Sequence, residues 1–215
     1  GPGAVFYPVD HARALSAAAE HLAARDTRLA GVIRRAGPCE LRPDRRYLRN
    51  LISAIANQQL SGKAAATIFG RFLALYPARR FPNPQQIIDT PDETLRGTGF
   101  SRPKVAYIKD LCARVADGRL RLDRMSRLSD DEVTAALTAV HGLGVWSAQM
   151  FMMFSLVRLD VLPVGDLGIR KGFQKVYGRP KEPSAARMQA IARSNGWAPY
   201  CSVASWYLWR SLDAS

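Results

Sequence analysis

Two glycines between two apolar helical stretches constrain the fold more than any other feature of the sequence. Residues 137–140 before them are typical of an apolar turn of helix, and residues 146–158 after them of a long apolar helix. A chain reverses direction within so few residues where glycines remove the side chains that would obstruct the turn. Gly142 and Gly144 therefore predict a helix, a tight hairpin and a second helix, in which Leu143 folds back to fill the turn.

Such a hairpin is suited to binding phosphate. Its backbone N–H groups face outward, and the N-terminus of the following helix adds a partial positive charge. The chain has 31 Lys and Arg against 18 Asp and Glu, a net charge of +13 and a pI of about 10.3. This excess favours a polyanionic partner, most simply nucleic acid, although an arginine-rich proteome or an acidic lipid surface would also account for it. Because phosphate contacts carry no sequence information, we expect binding that is independent of DNA sequence.

The periodicity of the chain predicts an all-α fold. No alternating run of apolar and polar residues is long enough for a strand, and about ten helical segments can be placed. We expect one helix–hairpin–helix unit, residues 4–215, made of two helical lobes with a DNA-binding and active-site cleft between them. The terminal segments, about 4–45 and 168–215, are predicted to pack with one another, and the central lobe to span about 46–167.

The cysteine and histidine residues exclude several kinds of site. Cys39, Cys112 and Cys201 lie far apart and form no CxxC pair, which argues against a disulfide scaffold, a zinc finger or an iron–sulfur cluster and favours a reducing compartment. The three histidines are too scattered to suggest a metal site. With no run of 18 apolar residues and no signal-peptide pattern, we expect a cytoplasmic, nucleoid-associated protein without a membrane segment.

A second polar feature lies at the joint between two predicted helices. Asn57, Gln58 and Gln59 are adjacent amides, and Ser61 is placed to cap the helix that follows. A polar surface turn would explain them. The functional interpretation is a wedge that enters the base stack and takes the place of a displaced nucleotide, because an amide can hydrogen-bond the orphaned base.

An isolated carboxylate, Asp166, follows the second helix in a loop that contains proline and glycine. Asp166 can cap the next helix, and this would explain its presence. A fixed carboxylate can also stabilise the oxocarbenium-like sugar that forms when an N-glycosidic bond breaks, or orient the attacking water. Arg170 and Lys171, which come shortly afterwards, suit the phosphates on either side of such a site.

Four segments of the chain carry a resemblance to a known family. They are AIANQQLSGKAA (54–65), GFSRPKVAYIKDL (99–111), HGLGVWSAQMF (141–151) and DVLPVGDLGIRKGF (160–173). In this order they resemble the helix–hairpin–helix DNA glycosylase superfamily, and within it the 3-methyladenine DNA glycosylase II type of alkylation repair. The resemblance extends over about residues 20–212.

The resemblance implies roles for individual residues. Asp166 matches the catalytic aspartate, and Gln59 matches the wedge residue, with Leu60 as the alternative. The residues expected at DNA are Gln58, Gln59, Leu60, Ser61, His141, Gly142, Leu143, Gly144, Arg170 and Lys171. A monovalent cation, Na⁺ or K⁺, that bridges to phosphate would be held by the backbone carbonyls of Thr138, Val140 and Leu143. No other cofactor is expected.

The resemblance also implies a base pocket that includes Trp146 and Trp209, whose electron-rich rings would attract a cationic alkylated purine by about 0.5–2 kcal/mol each. Trp146 stands where bifunctional relatives carry a Schiff-base lysine, so cleavage of the strand is not expected. Met150 stands where this type can carry a tyrosine, which implies a more open pocket. Trp206, three residues before Trp209 and on the same helical face, is assigned to this pocket too, although core packing would also explain the pair.

The sequence thus predicts a monofunctional DNA glycosylase of base excision repair. It would flip and excise alkylated bases, such as 3-methyladenine, from double-stranded DNA, and act as a monomer. A non-catalytic helix–hairpin–helix DNA-binding module is one alternative, and a bifunctional glycosylase/lyase is another. Asp166 distinguishes the first alternative, because a protein that only binds has no use for a carboxylate that faces a polyanion.

Overall fold

The computed structural model describes residues 8–213, and every regular element in this range is helical, as the all-α prediction requires. The α-helices of the described residues are α1 (Pro8–Arg25), α2 (Thr27–Ala36), α3 (Tyr47–Asn57), α4 (Gly62–Ala74), α5 (Pro84–Asp89), α6 (Asp92–Gly97), α7 (Arg102–Ala116), α8 (Asp130–Thr138), α9 (Val145–Phe151), α10 (Leu167–Val176), α11 (Ala185–Ser194) and α12 (Cys201–Arg210). None of them is both long and apolar enough to cross a membrane.

Residues 84–97 form two short helices, α5 and α6, separated by a break at Thr90 and Pro91. Pro91 stands at the N-cap of α6, and Thr90 before it is extended, with φ −72° and ψ 125°. The ring of a proline disfavours the helical conformation of the preceding residue, so α5 ends there. A 3₁₀ helix, Leu122–Arg127, lies between α7 and α8.

The chain divides into two compact units. The central unit spans Asp44–Phe151, and the terminal unit is formed by the residues up to Pro43 and those from Met152 onward. The second boundary therefore lies at residue 151 and not near 167, so that Asp166 belongs to the terminal unit.

Hydrogen bonds to the first turn of α12 explain where the second boundary falls. The Cys201 N–H donates to the Asp160 carboxylate at 3.1 Å, and the Val161 N–H donates to the Ser202 hydroxyl oxygen at 2.9 Å. The Ser202 hydroxyl in turn donates to the Arg158 carbonyl at 2.5 Å. The loop that leads to Asp166 is thereby bound to α12, a contact that the apolar periodicity of the sequence does not reveal.

The long apolar helix predicted for residues 146–158 is interrupted. After α9 the chain forms a π-helical turn, Met152–Leu156, and Val157 then adopts the left-handed conformation, with φ 54°. The Arg158 N–H donates to the Met152 carbonyl at 2.7 Å, a bond across six residues that ends the helical segment. A β-branched residue rarely has a positive φ, so tertiary packing holds Val157 in this conformation.

Close packing of α10 against α12 organises the terminal unit. A Cβ on Gly172 would lie 2.8 Å from the Leu208 carbonyl oxygen, so the two backbones approach this closely only because position 172 is glycine. Phe173 of α10 stacks on Trp197 with ring centroids 5.3 Å apart, and both side chains are buried. Helix α12 also packs against α1 and α2.

A buried carboxylate, Asp26, joins three segments of the terminal unit. It is only 3% exposed and caps α2 by accepting the Leu29 N–H at 2.9 Å. It also accepts hydrogen bonds from the Trp197 indole at 2.8 Å, the Asn195 amide at 3.0 Å and the Tyr177 hydroxyl. Burial, and then the neighbouring carboxylate, raise the pKa of Tyr177 well above its usual range, so the phenol remains a donor.

The central unit packs α7 against α3, α5 and α6. Phe72 and Phe100 meet edge to face in its core, with ring centroids 5.9 Å apart, and Ile55 of α3 is fully buried. Ser61 and Ser101 cap α4 and α7 by accepting the N–H three residues further on. The capping role predicted for Ser61 is confirmed.

Replacing Asp26 by Ala should lower the free energy of unfolding by about 3 kcal/mol or more, because several buried donors lose their acceptor at once. Urea denaturation of wild type and variant measures the difference. Asp123→Ala is the matched control, since Asp123 is an exposed carboxylate paired with Arg121 at the surface. An Asp26→Ala midpoint equal to that of Asp123→Ala would contradict the structural role of Asp26.

Candidate active site

The hairpin, residues 141–144, belongs to the central unit and has the predicted form. Gly142 has a φ of +88°, and a Cβ at this position would lie 2.3–2.6 Å from atoms of the Tyr107 ring. Leu143 is buried, which confirms its predicted place inside the turn. A Cβ added at Gly144 would have no neighbouring atom within 4 Å, so the space beside this glycine is open.

Side chains of α7 contact the hairpin, and the sequence did not predict this role for them. The Asp110 carboxylate accepts the His141 N–H at 2.8 Å and the Arg114 guanidinium at 3.1 Å. Burial alone would raise the pKa of Asp110, but these two donors lower it below its ordinary value. The Tyr107 ring lies 5.3 Å from the His141 ring. The sequence signal was the spacing of Tyr107, Asp110 and Arg114, which puts them on one helical face.

The carbonyls predicted to hold a cation lie beside an open surface cavity of about 580 Å³ at the hairpin, which Thr138, Val140 and Leu143 help to line. The Val140 carbonyl accepts the Leu143 N–H at 3.1 Å, and a carbonyl oxygen retains a second lone pair after one such bond. Among the described residues no group of three or more His, Cys, Asp or Glu side chains is placed to hold a metal ion. A monovalent cation at these carbonyls stays a prediction from the sequence.

The amide joint, residues 57–61, connects α3 to α4 and is called the wedge turn after its predicted role. The Gln58 amide donates to the Gly142 carbonyl at 2.9 Å, so the structure brings the wedge turn and the hairpin together within the central unit. Gln59 is exposed and has a φ of +57°, in the left-handed region that non-glycine residues seldom occupy. Leu60 is also exposed, whereas Ser61 is used as the cap of α4.

Trp146 lies in the first turn of α9, and its side chain is 38% exposed. Met150, one turn further on, is half-buried. Their roles at a base pocket stay predictions from the sequence.

Asp166 lies at the N-cap of α10, where it accepts the Ile169 N–H at 3.0 Å. Its capping role is therefore real. The same oxygen, Oδ2, also accepts the Trp209 indole N–H at 2.9 Å, which a helix cap does not require. The positive end of the α10 dipole and these two donors fix the carboxylate as an oriented negative charge.

The surroundings of Trp209 add two residues that sequence reasoning missed. Phe154 lies on the π-helical turn, is 42% exposed and has its ring centroid 5.5 Å from that of Trp209. A Cβ on Gly168 would lie 2.9 Å from the indole, so glycine at this position gives Trp209 access to Asp166. The sequence could have indicated Gly168, because it lies two residues after Asp166. No local feature of the sequence indicates a role for Phe154.

Trp206 differs from Trp209. It is only 9% exposed, packs edge to face on Tyr207 and belongs to the apolar core of the terminal unit. The Arg210 guanidinium covers its ring at 5.3 Å. Core packing, the alternative interpretation, therefore accounts for Trp206, and the structure does not bring it to Asp166 with Trp209.

The two cations after Asp166 are in different situations. Arg170 faces Glu182 with 3.7 Å between Nε and the carboxylate oxygen, so part of its charge is already balanced. Lys171 is exposed. Of the pair, Lys171 is the better candidate for a phosphate contact.

A glycine hairpin between two helices and a carboxylate bonded to a tryptophan indole are features of a helix–hairpin–helix protein of the nucleic-acid-processing class. The family model described as the HhH-GPD superfamily base excision DNA repair protein matches residues 52–196. The chain belongs to this family.

Several known proteins are similar to the chain over most of their length. DNA-3-methyladenine glycosylase 1 of Schizosaccharomyces pombe is 38% identical over 162 residues, which is 75% of this chain and 70% of that protein. The structure of the S. pombe 3-methyladenine DNA glycosylase in complex with abasic DNA has a TM-score of 0.81 and 34% identity, and the match covers 92% of this chain and 97% of that one. The DNA-3-methyladenine glycosidase of Bacillus halodurans gives a TM-score of 0.80 and 38% identity, with 92% and 89% covered.

Gly142→Ala should destabilise the central unit by about 2 kcal/mol or more, because a left-handed alanine costs roughly 1–2 kcal/mol and its Cβ also displaces Tyr107. Gly144→Ala is the control and should cost about 1 kcal/mol or less, the usual effect of alanine at a helix start. Chemical denaturation measures both values. Equal losses for the two variants would show that the Tyr107 contact does not limit the residue at position 142.

Proposed function

We propose that the chain is a DNA glycosylase that hydrolyses the N-glycosidic bond of alkylated bases in double-stranded DNA. The observation that carries the proposal is Asp166, whose Oδ2 accepts hydrogen bonds from Ile169 and Trp209. Membership of a base excision repair family supports it, as do relatives named 3-methyladenine DNA glycosylases. We further propose that the chain acts as a monomer in the cytoplasm, on the DNA of the nucleoid.

The proposed chemistry needs one carboxylate. As the bond to the base breaks, positive charge develops on the sugar, and the ionised Asp166 stabilises that charge or orients the attacking water. The Trp209 indole and the Ile169 N–H hold the carboxylate in place before substrate arrives, so little reorganisation is required in the transition state. An alkylated base that is already cationic departs without protonation by a second acid.

Binding to DNA is proposed to use the hairpin and the wedge turn. The amides of Gly142 and Gly144 would contact phosphate without reading sequence, and the cation at the carbonyls of Thr138, Val140 and Leu143 would add positive charge there. Exposed Gln59, with Leu60 beside it, would enter the stack and replace the extruded base. The ring of Trp209 offers an electron-rich face to a cationic purine.

Asp166→Asn should reduce the release of bases from methylated duplex DNA by about 100-fold or more, since it removes the charge that stabilises the transition state. Asparagine also caps helices, and its carbonyl oxygen can accept both bonds that now reach Oδ2, so the fold and the binding of DNA should be retained. Chromatography of the released bases measures the rate.

Asp160→Asn is the matched control for this experiment. Asp160 is a carboxylate of the same loop that caps α12, and asparagine should preserve this cap and the wild-type rate. Equal release by wild type and Asp166→Asn would contradict the mechanism. Absence of release by wild type, with duplex binding intact, would favour the non-catalytic DNA-binding module.

Borohydride should trap no covalent complex between the chain and methylated DNA. The indole of Trp146 cannot form an imine, so base removal is expected to leave the strand uncut. Gel electrophoresis after borohydride treatment detects a trapped complex, and a known bifunctional glycosylase provides the positive control. A trapped band from this chain would favour the glycosylase/lyase alternative.

A further inference from the structure

One face of α7 contacts both turns that are proposed to meet DNA. Lys104, Tyr107 and Asp110 follow one another at intervals of three residues and therefore lie along one side of the helix. Lys104 contacts the wedge turn, whereas Tyr107 and Asp110 contact the hairpin. All of these residues belong to the central unit.

The Lys104 ammonium lies at the C-terminal end of α3. It donates to the Ala56 carbonyl at 3.1 Å and to the Gln58 carbonyl at 2.5 Å. The last carbonyls of a helix have no partner within the helix, and a cation there also opposes the negative end of its dipole. Burial lowers the pKa of Lys104, as expected for an ammonium whose contacts with water are replaced by carbonyl oxygens.

The residue next to this contact is under conformational strain. Gln59 has a φ of +57°, and the left-handed conformation is unfavourable for a non-glycine residue, so neighbouring contacts must maintain it. Those contacts flank it on the chain. Lys104 holds the carbonyl of Gln58, and the Gln58 side chain donates to the Gly142 carbonyl at 2.9 Å.

The hairpin is fixed on the same helix. Asp110 accepts the His141 N–H at 2.8 Å, and the Tyr107 ring closes the space above Gly142. The wedge turn and the hairpin are therefore joined twice, once directly through Gln58 and once through the face of α7. A shift of either turn along α7 would break hydrogen bonds at the other.

We propose that Lys104 is a positioning residue that holds the wedge turn in its strained conformation and in register with the hairpin, so that phosphate binding and insertion of Gln59 into the base stack occur as one event. This inference rests on the proposed function. It assigns to Lys104 neither contact with DNA nor a part in breaking the glycosidic bond. Its effect is confined to the step in which the base is displaced.

Lys104→Met tests the proposal, because methionine keeps an unbranched apolar side chain and loses the ammonium. Lys104→Arg restores a donor to the carbonyls. Lys109→Met is the matched control, since Lys109 lies on the same helix and its ammonium likewise donates to two carbonyls, those of Ile88, at 2.6 Å, and Thr90. The carbonyls that Lys109 contacts lie at the C-terminal end of α5, outside both turns, so its loss should affect stability but not base displacement.

Three readouts are needed for each variant. The first is the single-turnover rate of 7-methylguanine release from a duplex with cytosine opposite the lesion. The second is the same rate with an abasic analogue opposite, where no base pair has to be broken. The third is the rise in fluorescence of 2-aminopurine placed next to the lesion, which reports unstacking and requires no chemistry.

For Lys104→Met we expect the rate with cytosine opposite to fall about 10-fold or more, because displacing a paired base then lacks a preformed wedge. The rate with the abasic analogue should remain within about 3-fold of wild type, and the fluorescence rise should be reduced. Lys104→Arg should recover most of the first rate. Lys109→Met should resemble wild type in all three readouts.

Other outcomes would overturn the proposal. Equal losses on both duplexes, or equal behaviour of Lys104→Met and Lys109→Met, would assign Lys104 a general structural role. Weaker binding of undamaged duplex, with a salt dependence reduced by about one counterion, would make Lys104 a phosphate contact instead. Failure of the proposed function is separate, because wild type would then release no base, while the fluorescence comparison would still test the positioning role.

Discussion

The terminal unit depends on the buried carboxylate of Asp26. A charge withdrawn from water is tolerated only when hydrogen-bond donors replace the water, and here the donors come from the start of α2, from Tyr177 after α10 and from the segment that follows α11. Each donor requires its own segment to be in position. The carboxylate therefore makes the assembly of these segments cooperative, because a partly assembled unit would leave a buried charge without its full set of partners.

Helix α10 connects Asp26 to the candidate catalytic residue, Asp166. Tyr177 at the C-cap of α10 is tied to Asp26, and Asp166 at its N-cap is tied to Trp209 of α12. The helix is thus fixed at both ends by hydrogen bonds to other parts of the terminal unit. An electrostatic mechanism benefits from such rigidity, because a charge that is oriented in advance stabilises the transition state without further rearrangement.

The features that the sequence predicted well are those with local causes. The hairpin at residues 141–144 follows from the conformational freedom of its glycines, and the cap of α4 follows from the Ser61 side chain and the N–H three residues later. The three side-chain donors to Asp26 are 151 to 171 residues away along the chain, so no local pattern marks Asp26 as more than the start of a helix. The π-helical turn, Met152–Leu156, is hidden for another reason, because a segment with apolar residues on every side gives no periodicity from which an extra residue could be detected.

The close approach of Gly168 to Trp209 constrains how this site can change during evolution. A side chain at position 168 conflicts with the indole, so it becomes acceptable only after position 209 has acquired a smaller residue. That first change also removes the donor that reaches Asp166. The two positions are therefore epistatic, and the order of substitutions is fixed. Lineages with a bulkier residue at 168 are expected to have found a different donor to orient their aspartate.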